Sequence, residues 1–327
     1  MNCAYCHLNG QLPKIDMPLD VAENAIDFCV SQRREGQIID IHFTGGEPFI
    51  NLDTIQSVLQ HTSSIPDLKF RITTNGTLLN QTNCSFLEQK NVFVSVSIDG
   101  MEDTHTAFRK TSCSSYNQII NNLHILIDSK CNYEVGMSVH PQVVHLLKNN
   151  FDELVKEGVK HFYIAPVYGK TAIWDDNCIE ELITCYKYIA SVALRYNLSI
   201  GPFNFDSEHV GDRLKGQWGC NAGCMNLAVL PDGTYAPCSS LAPFVKEQPI
   251  LNQGSVYNGL SQNNCSFNDL IHNDCNYSMC KDCSMTNNCL GGCLAINLSS
   301  TGNLFCPPTW YCKLIKNFQE IWKIRWQ

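Results

Sequence analysis

Apolar, β-branched runs recur along the first two thirds of the chain, at Ile38 to Thr44, Lys69 to Thr74, Val92 to Ile98, Tyr133 to Val139 and His161 to Val167. Short runs of this kind predict buried strands. Between them apolar residues return at helical spacing over Pro18 to Arg33, Leu52 to His61, Cys84 to Gln89, Tyr116 to Ile127, Leu147 to Glu157 and Ile179 to Tyr196. Strands alternating with helices predict parallel strands joined by right-handed crossovers, hence an α/β sheet or partial barrel. In such a fold the loops at the C-terminal ends of the strands carry the chemistry. No internal repeat interrupts the order. The Asn- and Ser-rich stretch from Asn252 to Ser266 predicts a surface loop.

Near residue 215 the pattern gives way to cysteine. Of 19 cysteines, eleven lie between Cys220 and Cys312 and eight in the 219 residues before them. This segregation divides the chain into one domain over 1–216 and a smaller one over 217–327. A reducing compartment keeps thiols free or bound to metal, and a disulfide framework suits small secreted chains better than one with an enzyme-sized, cysteine-poor middle. Cys29, Cys84, Cys113, Cys131, Cys178 and Cys185 read as core thiols, which behave as small hydrophobes. Cys265 and Cys275 stay unassigned.

With 327 residues and 44% hydrophobic content the chain can bury a large core. A formal charge of -8 argues against nucleic acid or an anionic membrane as partner, since either selects for clustered Lys and Arg. A small molecule or a peptide fits better. No run approaches the ~20 apolar residues of a membrane span, and the first residues lack the charged flank and apolar stretch of a secretion signal. The expected location is cytoplasmic.

Candidate chemistry begins at Cys3 and Cys6, with Tyr5 just before the second thiol. Alone, C-x2-C occurs in zinc sites, in redox loops and by chance. Three later turns change that. The run from Ile38 ends in Thr44-Gly45-Gly46-Glu47-Pro48, where two glycines let backbone approach a ligand that a Cβ would block. The next ends in Thr73-Thr74-Asn75-Gly76, and the third in Ser95-Val96-Ser97-Ile98-Asp99-Gly100. Each is ordinary turn chemistry by itself; three in order behind a cysteine pair are harder to attribute to turns alone.

On these residues the chain resembles the radical S-adenosylmethionine superfamily from Met1 to about Gly216. The resemblance implies a C-x3-C-x2-C loop giving three thiolates to a 4Fe-4S cluster, whose open iron chelates the amino and carboxylate groups of S-adenosylmethionine. One electron then cleaves the sulfonium, and the resulting 5'-deoxyadenosyl radical removes a substrate hydrogen. It further implies that Cys3 and Cys6 are cluster ligands, that Gly45 and Gly46 meet the methionyl amino group, Ser97 the ribose and Arg109 the carboxylate, and that Tyr5 and Val167 lie near the adenine. By itself Arg109 fits a solvated helix-start arginine as well as a ligand contact, since surface Arg is common. The first loop cysteine and the strand before it are expected upstream of Met1. The implied fold is therefore a partial (β/α)6 barrel lacking its first strand, in an N-terminally truncated chain with two of three ligands.

The second domain carries Cys280-x2-Cys283-x5-Cys289-x3-Cys293, preceded by Cys220, Cys224 and Gly233-x4-Cys238 and followed by Cys306 and Cys312. This resembles the SPASM domain of peptide and sulfatase maturases. A 4Fe-4S cluster takes four thiolates, and the resemblance implies two: one on Cys220, Cys224, Cys238 and Cys293, another on Cys280, Cys283, Cys289 and Cys312. The resemblance favours Cys312 over Cys306, because Tyr311-Cys312-Lys313 opens an apolar helix ending in Trp322 and Trp326, as in relatives. Structural zinc is the alternative occupant.

Relatives combining these halves mostly oxidise or cross-link side chains, and the expected function is maturation of a ribosomally made peptide, with flavodoxin or ferredoxin as electron donor. Sulfatase maturases of this type have Asp directly after the cysteine matching Cys238; here Ser239 stands there, and serine is no carboxylate base near neutral pH. Asp206 or Glu208 would have to reach in from a distant loop. An anaerobic sulfatase-maturating enzyme and a non-catalytic electron-transfer protein are the alternatives.

Overall fold

The computed structural model describes residues 2–6, 15–110, 116–201, 220–271, 273–285, 289 and 291–325. A short strand, β1 (Asn2–Cys3), precedes helix α1 (Leu19–Gln32). The chain then alternates through β2 (Ile39–Phe43), α2 (Leu52–His61), β3 (Leu68–Thr74), α3 (Gln81–Gln89) and β4 (Val92–Ser97). After α4 (Glu102–Phe108) and the two-residue β5 (Arg109–Lys110) come α5 (Tyr116–Asp128), β6 (Tyr133–Val139), α6 (Leu147–Lys156), β7 (His161–Pro166), α7 (Asp176–Tyr196) and β8 (Ser199–Gly201). Six strands form one parallel sheet in the order β2-β3-β4-β6-β7-β8. All five strands and six helices read from the sequence are present; β8, α4 and the pairing of β1 with β5 were not foreseen.

Alternation along the strands decides what each face of the sheet meets. Val92, Val94 and Val96 of β4 are buried, as are Val135 and Met137 of β6 and Phe162 and Ile164 of β7. They share one core with Ile119, Leu123 and Leu126 of α5, Phe151 and Leu154 of α6, and Leu182, Tyr186 and Ile189 of α7. The intervening positions, among them His42, Arg71, Ser95, Ser97, Glu134, Ser138 and Tyr163, are exposed or half-buried. A parallel sheet whose helices cover one face and whose other face is polar is a barrel wall, not the centre of a three-layer sandwich.

The cysteine-rich part carries a four-stranded antiparallel sheet of β9 (Ala228–Val229), β10 (Thr234–Ala236), β11 (Gly254–Ser255) and β12 (Gly259–Leu260) in the order β12-β11-β10-β9. Helices α8 (Gln262–Ile271), α9 (Leu294–Thr301) and α10 (Thr309–Arg325) follow. The surface loop expected over Asn252 to Ser266 is overturned, since this stretch supplies β11, β12 and the start of α8. Two of its polar side chains are spent internally: Asn264 Nδ2 donates to Gly223 O at 2.8 Å and to Gln253 Oε1 at 2.9 Å, and Gln253 Nε2 donates to Ile250 O at 2.8 Å. Buried amides with partners cost little, so a polar composition does not force exposure.

Helix α10 opens at Thr309, two residues before the expected start, and packs along α7. Trp310 lies 5.8 Å from Trp174 and Phe318 5.9 Å from Tyr186 between ring centroids. Trp310, Leu314, Phe318 and Ile321 belong to the barrel's own core. The expected boundary at 216–217, together with Cys113, Asp206, Glu208, Trp326 and the side chains of Cys275 and Trp322, lies outside the described residues.

Phe162 is 1% exposed and its ring centroid lies 4.9 Å from that of Phe151. Phe162→Ala is expected to destabilise the barrel by about 3–5 kcal/mol through lost burial and the cavity left behind. A drop in the urea midpoint by circular dichroism measures this; an unchanged midpoint would place Phe162 outside the core.

Candidate functional site

The strand ends named from the sequence lie along one edge of the parallel sheet. After β2, Gly45 has φ +144° and Gly46 follows it; a Cβ built at either meets no atom within 4 Å, and both are exposed. Gly45 is required by its backbone angle. Packing makes no such demand at Gly46, so its bare backbone leaves open room against the strand end, as a closely bound ligand requires. Glu47 fastens this loop to the next strand. Its Oε1 accepts from Thr74 Oγ1 at 2.7 Å and Phe49 N at 3.2 Å, and its Oε2 from Asn75 N at 2.7 Å. Burial lifts its carboxyl above the ordinary carboxylate range, against the pull of those hydrogen bonds.

Beyond β4 the edge closes around a buried ion pair. Ser97 ends the strand, and Asp99 two residues later receives Arg109 Nε at 2.8 Å and Nη2 at 2.9 Å on its two carboxylate oxygens. Asp99 Oδ1 also accepts from Ser138 N at 2.9 Å, and Tyr5 donates its hydroxyl to Oδ2. Arg109 Nη2 reaches Ser138 Oγ at 3.4 Å, Nη1 lies 4.0 Å from Cys3 Sγ, and the guanidinium sits 5.4 Å from the centroid of the Tyr5 ring. With 7% exposure Arg109 is no solvated surface arginine, which overturns that reading of it. Its Nε and Nη2 are held by Asp99, and Nη1 is turned toward the cysteine loop.

The loop itself is fixed by main chain. Cys3 pairs with Arg109 across β1 and β5, Ala4 N donates to Phe108 O at 2.7 Å, and Cys6 N donates to Cys3 O at 3.1 Å. Burial raises the Cys3 thiol above its usual value while the Arg109 charge opposes it. Phe108 stacks on His140 at 4.3 Å beyond β6. Val167, buried after β7, donates its N–H to Val139 O at 2.8 Å and accepts from Trp174 Nε1 at 2.8 Å through its carbonyl. Arg109 thus lies against both Tyr5 and Cys3, while Gly45, Gly46, Ser97 and Val167 stand at successive strand ends. Asp99, Ser138 and Glu47 were missed as site residues. Asp99 and Glu47 lay in the quoted turns, but nothing in a sequence couples Asp99 to an arginine ten residues on. Buried His105 lies behind them, accepting from Asp99 N at 3.3 Å through Nδ1 with no partner on Nε2, and burial holds it down at about 4.

The second-domain thiols fall into two neighbourhoods. Cys238 and Cys293 interact electrostatically with each other and with Cys220. Cys289 feels Cys312, Cys280 and Cys283, and Cys306 lies within influence of Cys280 and Cys312. Cys224 stands exposed in the turn after Cys220. Burial pushes Cys238 up to about 12 and Cys289 up to about 11, with neighbouring thiols adding to it. Thiols this crowded and buried bind as thiolates only where a metal supplies positive charge, so their chemistry fits a metal-thiolate group. Among the described residues no three His, Cys, Asp or Glu side chains converge on a single ion, so donor chemistry and not geometry carries that fit. Of the expected core thiols, Cys84, Cys131 and Cys185 are buried, whereas Cys29 and Cys178 are half-buried.

Comparison with known proteins bears on the same edge. Residues 1–156 match the Radical SAM superfamily. The chain carries a Radical SAM domain. Radical SAM cyclopropyl synthase TigE of Paramaledivibacter caminithermalis is 24% identical over 96% of this chain and 70% of its own length. A cysteine-type anaerobic sulfatase-maturating enzyme of Clostridium novyi is 25% identical over 41% of this chain, and an uncharacterised Methanocaldococcus jannaschii protein is 34% identical over 31% of it. The chain spans only 39% and 35% of those two relatives. Among solved structures, native anSMEcpe with bound AdoMet and the Kp18Cys peptide superposes with a TM-score of 0.80 at 18% identity, covering 98% of this chain and 92% of that one. Streptococcus suis SuiB bound to S-adenosylmethionine gives 0.68 at 15%, covering 94% and 73%. At these identities the likeness carries the fold, a radical SAM partial barrel continuing into a cysteine-rich part.

Asp99→Ala leaves a buried guanidinium without its counter-charge and is expected to destabilise the protein by about 3–5 kcal/mol, with a smaller loss for Asp99→Asn. Chemical denaturation of both variants checks this. Parent-like stability of Asp99→Ala would mean that Arg109 finds solvent in the fold.

Proposed function

We propose that the chain is a radical S-adenosylmethionine peptide maturase, which oxidises or cross-links side chains of a ribosomally made peptide. The observation that carries the reading is the pairing, in one fold, of a radical SAM strand edge with two separate groups of mostly half-buried thiols. On this reading Cys3 and Cys6 serve the first 4Fe-4S cluster. Cys220, Cys224, Cys238 and Cys293 hold one auxiliary cluster of a SPASM domain, and Cys280, Cys283, Cys289 and Cys312 hold the other. When bound, these groups and S-adenosylmethionine supply hydrogen abstraction and a place for the substrate's second electron.

The chain's own residues do the positioning. Gly45 and Gly46 offer bare backbone to the methionyl amino group, and Ser97 offers its hydroxyl to the ribose. Tyr5 and Val167 bound the adenine. Arg109, held by Asp99, keeps a cation beside the cysteine loop, where a methionyl carboxylate would meet it. The polar inner face of the sheet receives the peptide. Flavodoxin or ferredoxin would deliver the electrons, and the reading places the protein in the cytoplasm; among the described residues no helix is long and apolar enough to cross a membrane.

The Clostridium novyi relative favours sulfatase maturation as second reading. Against it stands Ser239, where a carboxylate would be needed.

Each filled auxiliary set should contribute about four irons. Cys280→Ala with Cys283→Ala is expected to remove about one cluster's worth from anaerobically reconstituted protein; an unchanged iron content would refute the ligand set. Incubation with the small peptide encoded beside the gene, and separately with a Cys-containing sulfatase peptide, distinguishes the reactions. Loss of two hydrogens from the first, with fragmentation blocked between two residues, supports cross-linking. Formylglycine in the second, with the first untouched, supports the sulfatase reading instead.

A further inference from the structure

The inner face of the barrel wall carries a site that none of the cofactor assignments uses. On one rung Ser97, Gly136, Tyr163 and Gly201 are successive Cα partners across β4, β6, β7 and β8. Two of the four have no side chain. A Cβ at Gly201 would come within 2.7 Å of the Tyr163 ring, so that ring lies across the bare strand beside it. A Cβ at Gly136 would meet only Ser95 Oγ at 3.6 Å and the Val96 carbonyl at 3.8 Å, so the space between Ser97 and Tyr163 stays open. Tyr163 is 49% exposed while its neighbours Phe162 and Ile164 are each 1% exposed, which sets the ring on the inner side.

One rung below, Ser95 pairs with Glu134 in register. The inner-face cation within influence of Glu134 is Arg71, which is engaged elsewhere: it donates to Asp40 through Nε at 3.1 Å and Nη2 at 2.7 Å, and stands 5.7 Å over the Phe93 ring. With Arg71 held by Asp40, no salt bridge reaches Glu134 among the described residues, and burial holds its carboxyl above the ordinary carboxylate range. Tyr163 lies within electrostatic reach of both Glu134 and Cys293. The site therefore stands between the end of β4 and the first thiol group.

We propose that Glu134, with the Tyr163 ring one rung further along the same wall, binds a lysine or arginine side chain of the peptide substrate and selects the residue presented between Ser97 and Cys293. This rests on the peptide-maturase reading and gives it a substrate class. A carboxylate without an ion-pair partner in a partly dry wall gains most from a charged donor, and an aromatic face on the next rung takes the methylene stem that leads to the cation. An acidic side chain would be repelled, and an apolar one would leave Glu134 without a counter-charge.

The test measures binding without turnover. Acetylated, amidated Gly-Gly-X-Gly-Gly peptides with Lys, Arg, Glu or Leu at X are dialysed to equilibrium against the anaerobically reconstituted chain with S-adenosylmethionine and no reductant. Lys and Arg peptides should bind about tenfold more tightly than Glu or Leu peptides, equivalent to ~1.4 kcal/mol. Glu134→Gln should level the four, Glu134→Lys should favour the Glu peptide, and Tyr163→Leu should weaken Lys and Arg alone. Circular dichroism confirms that each variant is folded. Equal binding of all four peptides by the parent, no binding of any, or a Lys preference that survives Glu134→Gln overturns the proposal. Should it fall while the peptide encoded beside the gene still loses two hydrogens, only the site is lost. A Lys preference that depends on Glu134 while that peptide stays unchanged keeps the site and faults the reaction class.

Discussion

A guanidinium and a carboxylate taken out of water persist only when each satisfies the other, and the edge of the barrel where the functional residues gather is organised by one such pair. Asp99 accepts from Arg109 twice, from the Ser138 main chain and from Tyr5. Four segments that are far apart in sequence are thereby tied to one carboxylate: the cysteine loop, the end of β4, β5 and the end of β6. Buried pairs of this kind add little net stability, because desolvation offsets most of the attraction. Their effect is on geometry. A loop whose anchoring charge is lost has no second arrangement in which the remaining charge is paired, so Cys3 and Tyr5 keep their places relative to Ser97.

Away from that edge, the division of labour between sheet faces sets what the barrel can hold. Helices bury the Val, Ile and Phe side of every long strand, leaving Asp40, His42, Arg71, Glu134 and Tyr163 on the side without helices. These polar groups are partly satisfied by one another, Arg71 by Asp40 and His42 Nε2 by Thr73 Oγ1 at 2.7 Å. Such a wall favours a polar, extended guest over a small apolar one, which agrees with a peptide more readily than with a hydrocarbon substrate.

Much of this was legible because long buried strands write themselves as continuous apolar runs. The failures have identifiable causes. Ser199–Gly201 is three residues long and follows at once on Asn197, whose left-handed φ of +51° ends α7, so it has no length in which a period can appear. Asn252 to Ser266 read as loop because polarity was taken for exposure, yet Gln253 is 0% and Asn264 7% exposed. Their amides are paired with main-chain carbonyls and each other, which no composition reveals. The glycine and serine strand ends were recoverable from their order along the chain. Arg109 was recoverable as a residue but not in its burial, since that depends on a carboxylate brought to it by α4.

The thiols carry the last step of the argument. Cys280, Cys283 and Cys289 are near in sequence and neighbours in space, whereas Cys293, only four residues beyond Cys289, belongs with Cys220 and Cys238. The chain between Cys289 and Cys293 passes through Gly291 and Gly292, both at positive φ, and a Cβ at Gly292 would strike the Tyr311 ring at 2.7 Å. Two consecutive left-handed residues turn the backbone away from one thiol group and toward the other, a path that side chains would strain. Tyr311 fills the corner so made, within electrostatic reach of Cys293, Cys220 and Cys289 alike. The same turn that divides the cysteines therefore keeps the Tyr311 ring within electrostatic reach of thiols from both groups. On the proposed reading, in which each group holds a cluster, this turn is what assigns Cys293 and Cys289 to different clusters although only three residues lie between them.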